Sequence, residues 1–298
     1  LAYGVGPGDE VITAPNSYFA TAMVVEHVGA KVVFADIDPK TFTIDPQEIE
    51  KKISARTRAI IPIHLYGQPA DMDPLAKLAK KNSLVIIEDA CQAHGAKYKG
   101  KIVPYTDTGA FSFYPGKNLG SFGDAGALVT DDPKIAKKVR LLRNDGSMKK
   151  YQHQLFGYKS RLDTLQAAIL NKKLSLLPNW NEARRNHAKK YTQLLKSVGK
   201  VITPIETDYA YHVFHLYVIE TSERNSLQAF LKKHGITTII HYPIPIHLQP
   251  PYIKKGFKAG DFPVTEKAAR HILSLPMFPE LKQTEIHFVI DTINAFLK

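Results

Sequence analysis

The stretch Leu84-Val-Ile-Ile-Glu88-Asp89-Ala-Cys91-Gln92-Ala-His94-Gly95 decides the fold. Four consecutive apolar residues, most of them β-branched, predict a strand buried on both faces, and strands of that kind belong to parallel sheets covered by helices. Ligands of such sheets lie at the carboxyl ends of the strands. Asp89 falls there, directly after the apolar run. A carboxylate in that place can pair with a cationic heterocycle, or it can cap the segment that follows.

Working outward, the next stretch that carries chemistry is Gly109-Ala-Phe-Ser112-Phe-Tyr-Pro-Gly-Lys117-Asn-Leu-Gly120-Ser-Phe-Gly123-Asp-Ala-Gly126. Its one lysine stands among small, turn-forming residues that let the backbone approach a flat ligand. Such a lysine can form a Schiff base if it is partly desolvated, or it can be a solvated residue on a surface turn.

Upstream, the pattern alternates. Strands are expected at 11–13, 31–34 and 59–63, with helices at 19–27, 46–53 and 74–81. This predicts an α/β fold with a largely parallel sheet and helices on both faces. Downstream, a strand at 128–130, a basic helix at 133–142, a mobile loop at 146–157 and a helix at 162–176 lead to Pro178, read as a boundary. Two domains follow, 1–178 and a smaller α+β domain over 179–298, with helices at 182–196, 227–233, 266–272 and 284–297 and strands at 214–220 and 237–240. The glycines at 4, 6 and 8 do not fit Gly-x-Gly-x-x-Gly and precede a strand, so a dinucleotide fingerprint is rejected.

Bulk properties narrow the classes. With 298 residues, 44% hydrophobic and 23% charged, the chain is expected to be an ordinary globular protein with a sizeable core. No apolar run is long enough for a membrane span, and the start has no secretory pattern. The single Cys fits a reducing cytoplasm, the expected location. A formal charge of +12 suggests nucleic acid, but the basic residues are scattered over amphipathic helices, as at Lys77, Lys80, Lys81, Arg184, Arg185, Lys189 and Lys190. Nucleic acid is therefore not expected as a partner.

Together these stretches resemble the DegT/DnrJ/EryC1/StrS family of nucleotide-sugar aminotransferases, fold-type I enzymes that use pyridoxal phosphate. The similarity spans 88–95, 111–120 and 123–126, then Gly157-Tyr-Lys159-Ser-Arg-Leu-Asp-Thr-Leu-Gln-Ala-Ala-Ile169 and His241-Tyr242-Pro-Ile-Pro-Ile-His247-Leu-Gln249. The resemblance implies that Lys117 carries the cofactor covalently and that Asp89 pairs with its ring nitrogen. It implies that Tyr18 covers the ring, Gln92 lies near the phenolic oxygen and Ser112 binds the phosphate. Lys159, where many members have Asn, would reach a phosphate across a homodimer with a shared site. His241, Tyr242 and His247 would hold the sugar or its diphosphate, or form a structural turn. No metal ligands are assigned. The start at Leu1 implies that a preceding segment with the phosphate-binding loop is missing.

The implied reaction moves an amino group from glutamate or glutamine to a keto sugar, at C3 of a dTDP-3-keto-6-deoxyhexose by the wording of the lysine and His-Tyr-Pro stretches, with C4 as the alternative. An ATPase lacks its Gly-x-x-x-x-Gly-Lys-Ser/Thr loop, since Asn118 follows Lys117. A sugar dehydratase of the family would have His in place of Lys117. A non-catalytic regulator with an aminotransferase-like fold is opposed by Lys117 and Asp89 together.

Overall fold

The computed structural model describes residues 1–196 and 198–297. Strand Glu10–Thr13 lies between Lys31–Phe34 and Thr57–Ile61, and the last of these pairs with Val85–Ile86, all in parallel. The chain then runs through Glu88–Asp89, which pairs in parallel with Thr108–Ser112. Gly126–Thr130 closes this set as an antiparallel partner of Thr108–Ser112. The Ile63–Asp89 bridge and the bond from Ile87 N–H to the Ile60 carbonyl join the two sets into one surface. The sheet is therefore largely parallel, as the buried run predicts, and Asp89 stands at the carboxyl end of a central strand.

Helices cover the sheet for local reasons. Met72–Lys81 turns Met72, Leu75 and Ala79 inward and keeps its lysines outward. Asp132 caps Pro133–Leu142 by accepting from the N–H groups of Lys134 and Ile135, with Pro133 in the first turn, where no N–H is needed.

Several expectations shift. Pro178 does not break the chain: it sits in the first turn of the long helix Leu177–Leu195, the one helical position that tolerates proline. The loop expected over 146–157 folds into a small antiparallel hairpin, Ser147–Lys149 with Gln152–His153. The strand expected at 237–240 reduces to a single bridge between Ile239 and Ser274. The helix expected to run through Ile272 ends at His271, and Ile272–Leu275 is a strand paired antiparallel with Tyr217–Glu220.

Two cores organise the packing. Ile12, Ile60, Leu65, Met72 and Tyr98 share one with Val218, Ala268 and Ile272, so residues on both sides of Pro178 bury the same surface. The other gathers Tyr191, Leu227, Leu273 and Ile290 between the Tyr217–Glu220 and Ile272–Leu275 pair and three helices. Among the described residues no helix is long and apolar enough to cross a membrane.

Buried Asp36 fastens the C-terminal part to the sheet. Its carboxylate accepts from the N–H groups of Ile37, Val264 and Thr265 and from the Thr265 hydroxyl, at the start of helix Pro263–His271. Asp36→Ala strips these donors of their acceptor, and each stranded buried donor costs on the order of 1–3 kcal/mol. The expected result is a stability loss of about 3 kcal/mol or more, read as a lower urea midpoint; an unchanged midpoint would remove Asp36 from this role.

Candidate active site

The Lys117 loop is shaped by close backbone contact. Lys117 N–H closes a turn on the Tyr114 carbonyl at 2.9 Å, and Ser121 N–H returns to Phe113 at 2.7 Å. A Cβ on Gly120 would lie 2.3 Å from the Pro115 carbonyl oxygen, so only glycine permits the fold-back. Next to Lys117, Asn118 is 5% exposed and tied to Asn181, Val213 and His215. This anchor fixes the backbone from which the lysine projects.

Burial is the main influence on Lys117 and lowers its pKa from the ordinary lysine value; Cys91 and Asp89 pull the other way. The residues the sequence separates by 28 positions are thus close enough for their charges to act on each other. Asp89 is half-buried, and both of its oxygens are held: Oδ2 accepts from the Thr21 hydroxyl at 2.7 Å and Oδ1 from Cys91 N–H at 3.1 Å. Burial, then the negative charge of Asp89, pushes the Cys91 thiol up, so it stays protonated and inert.

Around this pair the expected residues take distinct places. Tyr18 is 62% exposed, its ring 6.0 Å from that of Tyr242. Tyr242 is reached by Gln92 Nε2 at 3.4 Å, while Gln92 Oε1 accepts from Tyr66 N–H at 2.7 Å. The Tyr66 hydroxyl donates to the His241 carbonyl. Burial lowers His241 to about 4, with the Lys117 charge adding to it. Ser112 ends its strand, and its hydroxyl oxygen accepts from Tyr114 N–H at 3.2 Å. Tyr18, Asp89, Gln92, Lys117, His241 and Tyr242 are linked in one group at the strand ends.

Two expected residues lie elsewhere. His247 is fully buried, its Nε2 paired with Glu266 at 3.1 Å and its ring against Phe262, so the structure gives it a packing place away from Lys117. Lys159 is exposed and bridged by its backbone to Asn144, and among the described residues it makes no side-chain hydrogen bond or ion pair to the Lys117 group. The sequence reading missed Asn118 and His215; a polar pair, Lys-Asn, flanked by glycines and a His within the apolar run 213–219 were the available signals.

The sequence matches the model of the DegT/DnrJ/EryC1/StrS aminotransferase family over residues 1–294, and the chain belongs to that family. It is 53% identical over 300 residues to a "pleiotropic regulatory protein" of Geobacillus stearothermophilus, covering 100% of this chain and 81% of that one. It is 45% identical over 294 residues to dTDP-3-amino-3,4,6-trideoxy-alpha-D-glucose transaminase of Streptomyces venezuelae, covering 98% of this chain and 78% of that one. The crystal structure of S. venezuelae DesV in complex with a ketimine intermediate superposes with a TM-score of 0.98 at 43% identity, covering 100% of this chain and 80% of that one. The protein is an aminotransferase of a family whose cofactor is pyridoxal 5'-phosphate.

The residues present fit that group. A lysine made easier to deprotonate, a carboxylate held at both oxygens and an uncovered tyrosine face converge at the carboxyl ends of the strands. Borohydride reduction of protein incubated with pyridoxal phosphate should place the label on the peptide containing Lys117, and Lys117→Ala should abolish it. Label on another lysine in the wild-type protein would overturn the assignment.

Proposed function

We propose that this protein transfers an amino group from glutamate, or glutamine, to a nucleotide-linked keto sugar, at C3 of a dTDP-3-keto-6-deoxyhexose. The observation that carries the chemistry is the juxtaposition of desolvated Lys117 with Asp89. The choice of C3 and of dTDP is supported by likeness to a relative named as a dTDP-3-amino sugar transaminase. The relative named as regulatory favours a second reading as a non-catalytic regulator. Lys117 and Asp89, set together at the strand ends, favour catalysis over it.

Pyridoxal phosphate supplies an electron sink for the carbanion left when a proton is removed. Toward it, Lys117 would provide the covalent anchor and, once released, move the proton to and from the substrate carbon. Asp89 would hold the ring nitrogen in its protonated form, with Thr21 and Cys91 N–H keeping the carboxylate in place. Tyr18 would cover one ring face, Gln92 would lie by the phenolic oxygen, and Ser112 would meet the phosphate. His241 and Tyr242 border the same space and are candidates for the sugar and its diphosphate. Regiochemistry depends on which carbonyl carbon comes within about 3–3.5 Å of the amino nitrogen.

Matched 3-keto and 4-keto nucleotide sugars, incubated with enzyme and glutamate, should give a new nitrogen at C3 by NMR. In the same assay Asp89→Asn should slow transfer by about 10²-fold or more, the scale of a lost contact in a water-excluded site. Product from the 4-keto sugar alone would overturn C3, and wild-type rates in the variant would remove Asp89 from the mechanism.

The site is proposed to be shared in a homodimer, where Lys159 would serve the phosphate of the partner subunit. Around Lys159 large apolar residues stand uncovered: Tyr151 is 83% exposed, Phe156 102%, Tyr158 55% and Leu165 70%. Uncovered apolar side chains so near Lys159 in the chain support an interface there. Sedimentation should show a dimer, and a fully active monomer would overturn the shared site.

A further inference from the structure

We propose that Gln166 and Lys173 are positioning residues for Lys117: together they hold the return limb of its loop, and with it the place of the lysine amine. The loop is closed on itself. It leaves strand Thr108–Ser112 at Phe113 and turns where Lys117 N–H meets the Tyr114 carbonyl at 2.9 Å. It comes back where the N–H and the hydroxyl of Ser121 both donate to the Phe113 carbonyl at 2.7 Å. Lys117 lies within this closed stretch, so groups that fix residues 119–122 also fix the lysine.

Helix Thr164–Leu174 does so with one face. Gln166, Leu170 and Lys173 recur at i, i+4 and i+7, the spacing that aligns side chains along a helix. Gln166 Oε1 accepts from Phe122 N–H at 2.8 Å. Leu170 is buried in one cluster with Leu119 of the loop and Leu177. Lys173 Nζ donates to the Gly120 carbonyl. Two backbone groups of the limb thus find their partners in side chains of this helix.

The clamp is built for precision. A hydrogen bond from a cation is roughly twice as strong as one between neutral groups, and the limb it holds is buried, with Leu119 6% and Ser121 1% exposed. Lys173 is itself aimed, because its ammonium lies 5.4 Å from the centre of the Phe122 ring and 5.9 Å from that of Trp180, faces that attract a cation. Gly120 already lies against the Pro115 carbonyl oxygen, where a Cβ would come within 2.3 Å, so its own turn and the helix both restrict it. Asn118 fixes the residue next to the lysine on Asn181 and Val213; Gln166 and Lys173 fix those that follow. A lysine ends in a flexible stem, so its loop must supply the accuracy. Misplacing a reacting group by about 1 Å can cost on the order of 100-fold.

This inference rests on Lys117 being the reacting amine, and its first test needs no cofactor, so its failure is separate from a failure of that reading. In cofactor-free protein, hydrogen exchange at the Phe122 amide should be slow. It should quicken about tenfold in Gln166→Leu and in Lys173→Met, the scale of one lost hydrogen bond, and stay slow in Gln166→Glu and Lys173→Arg, which keep the acceptor and the donor. Fast exchange at Phe122 in the wild type would overturn the inference. So would a matching rise at strand Glu10–Thr13, the mark of a general loss of stability. The second test follows, at saturating pyridoxal phosphate, the growth of borohydride-fixed label on the Lys117 peptide. Lys173→Met should slow it about tenfold or more, and Lys173→Arg should recover most of the rate. Wild-type rates in both Lys173→Met and Gln166→Leu, or a loss that Lys173→Arg does not recover, would overturn the inference; if neither variant folds, exchange at Phe122 in the wild type decides. Label on another lysine in the wild type would instead remove Lys117 as the reacting amine.

Discussion

The buried carboxylate of Glu88 is the contact on which the geometry of the site depends. It accepts from His64 Nε2 and Tyr105 N–H at 2.8 Å and from the N–H and hydroxyl of Thr106 at 2.6 Å. One side chain thereby holds three segments: its own strand, the turn before Leu65–Gly67 and the loop that leads into Thr108–Ser112. Burial opposes the charge, but the hydrogen bonds from His64 and Thr106 outweigh it and hold Glu88 below the ordinary carboxylate value. A depressed carboxylate contributes stability above its unfolded pKa and loses it as pH falls through the folded one. Alternation along the strand makes the division of labour automatic: Glu88 points into the interior, and Asp89, one residue on, points the other way.

The same strand end gathers the C-terminal part. Gln92 holds Tyr66 N–H and reaches Tyr242, and the Tyr66 hydroxyl ties the His241 carbonyl. Tyr66 takes a φ of 60°, a left-handed conformation uncommon for an aromatic residue, at the point where these bonds meet. Both His241 and Tyr242 are thus tied to the turns that follow the sheet strands, at Tyr66 and Gln92. Together with Asp36 at helix Pro263–His271, these bonds make the later half of the chain a wall of the site instead of an appended body.

Legibility in the sequence follows the range of the forces involved. The buried run at 84–87 announces a parallel sheet because burial on both faces leaves a continuous apolar word, and Asp89 is read from its place after that word. Short pieces leave no such trace: Ala210–Tyr211 pairs with Lys97–Tyr98 across more than a hundred residues, and two residues have no period. Pro178 misleads because the rule against proline holds for a helix interior and not for its first turn. His247 stands in the same motif as His241, yet a 3-10 turn over Ile246–Leu248 sends it to Glu266. Asn118 and His215 escape because their partners, Asn181 and Val213, are distant in sequence; only the folded chain shows which carbonyl each amide must satisfy.

The histidines show how fixed backbone groups choose chemistry. Ala70 N–H donates to His64 Nδ1, which leaves the hydrogen of that ring on Nε2, toward Glu88. Phe214 N–H does the same to His212 Nδ1, whose ring lies flat against Phe214. His215 has the opposite arrangement because it meets an amide oxygen. Around Lys117, burial lowers both His94 and His241 to about 4 and holds His215 well below the ordinary histidine value. Were these rings charged, three like charges would add to desolvation and drive the lysine toward a permanently neutral amine. Neutral imidazoles avoid that and leave Asp89 as the nearby charge that favours the protonated lysine.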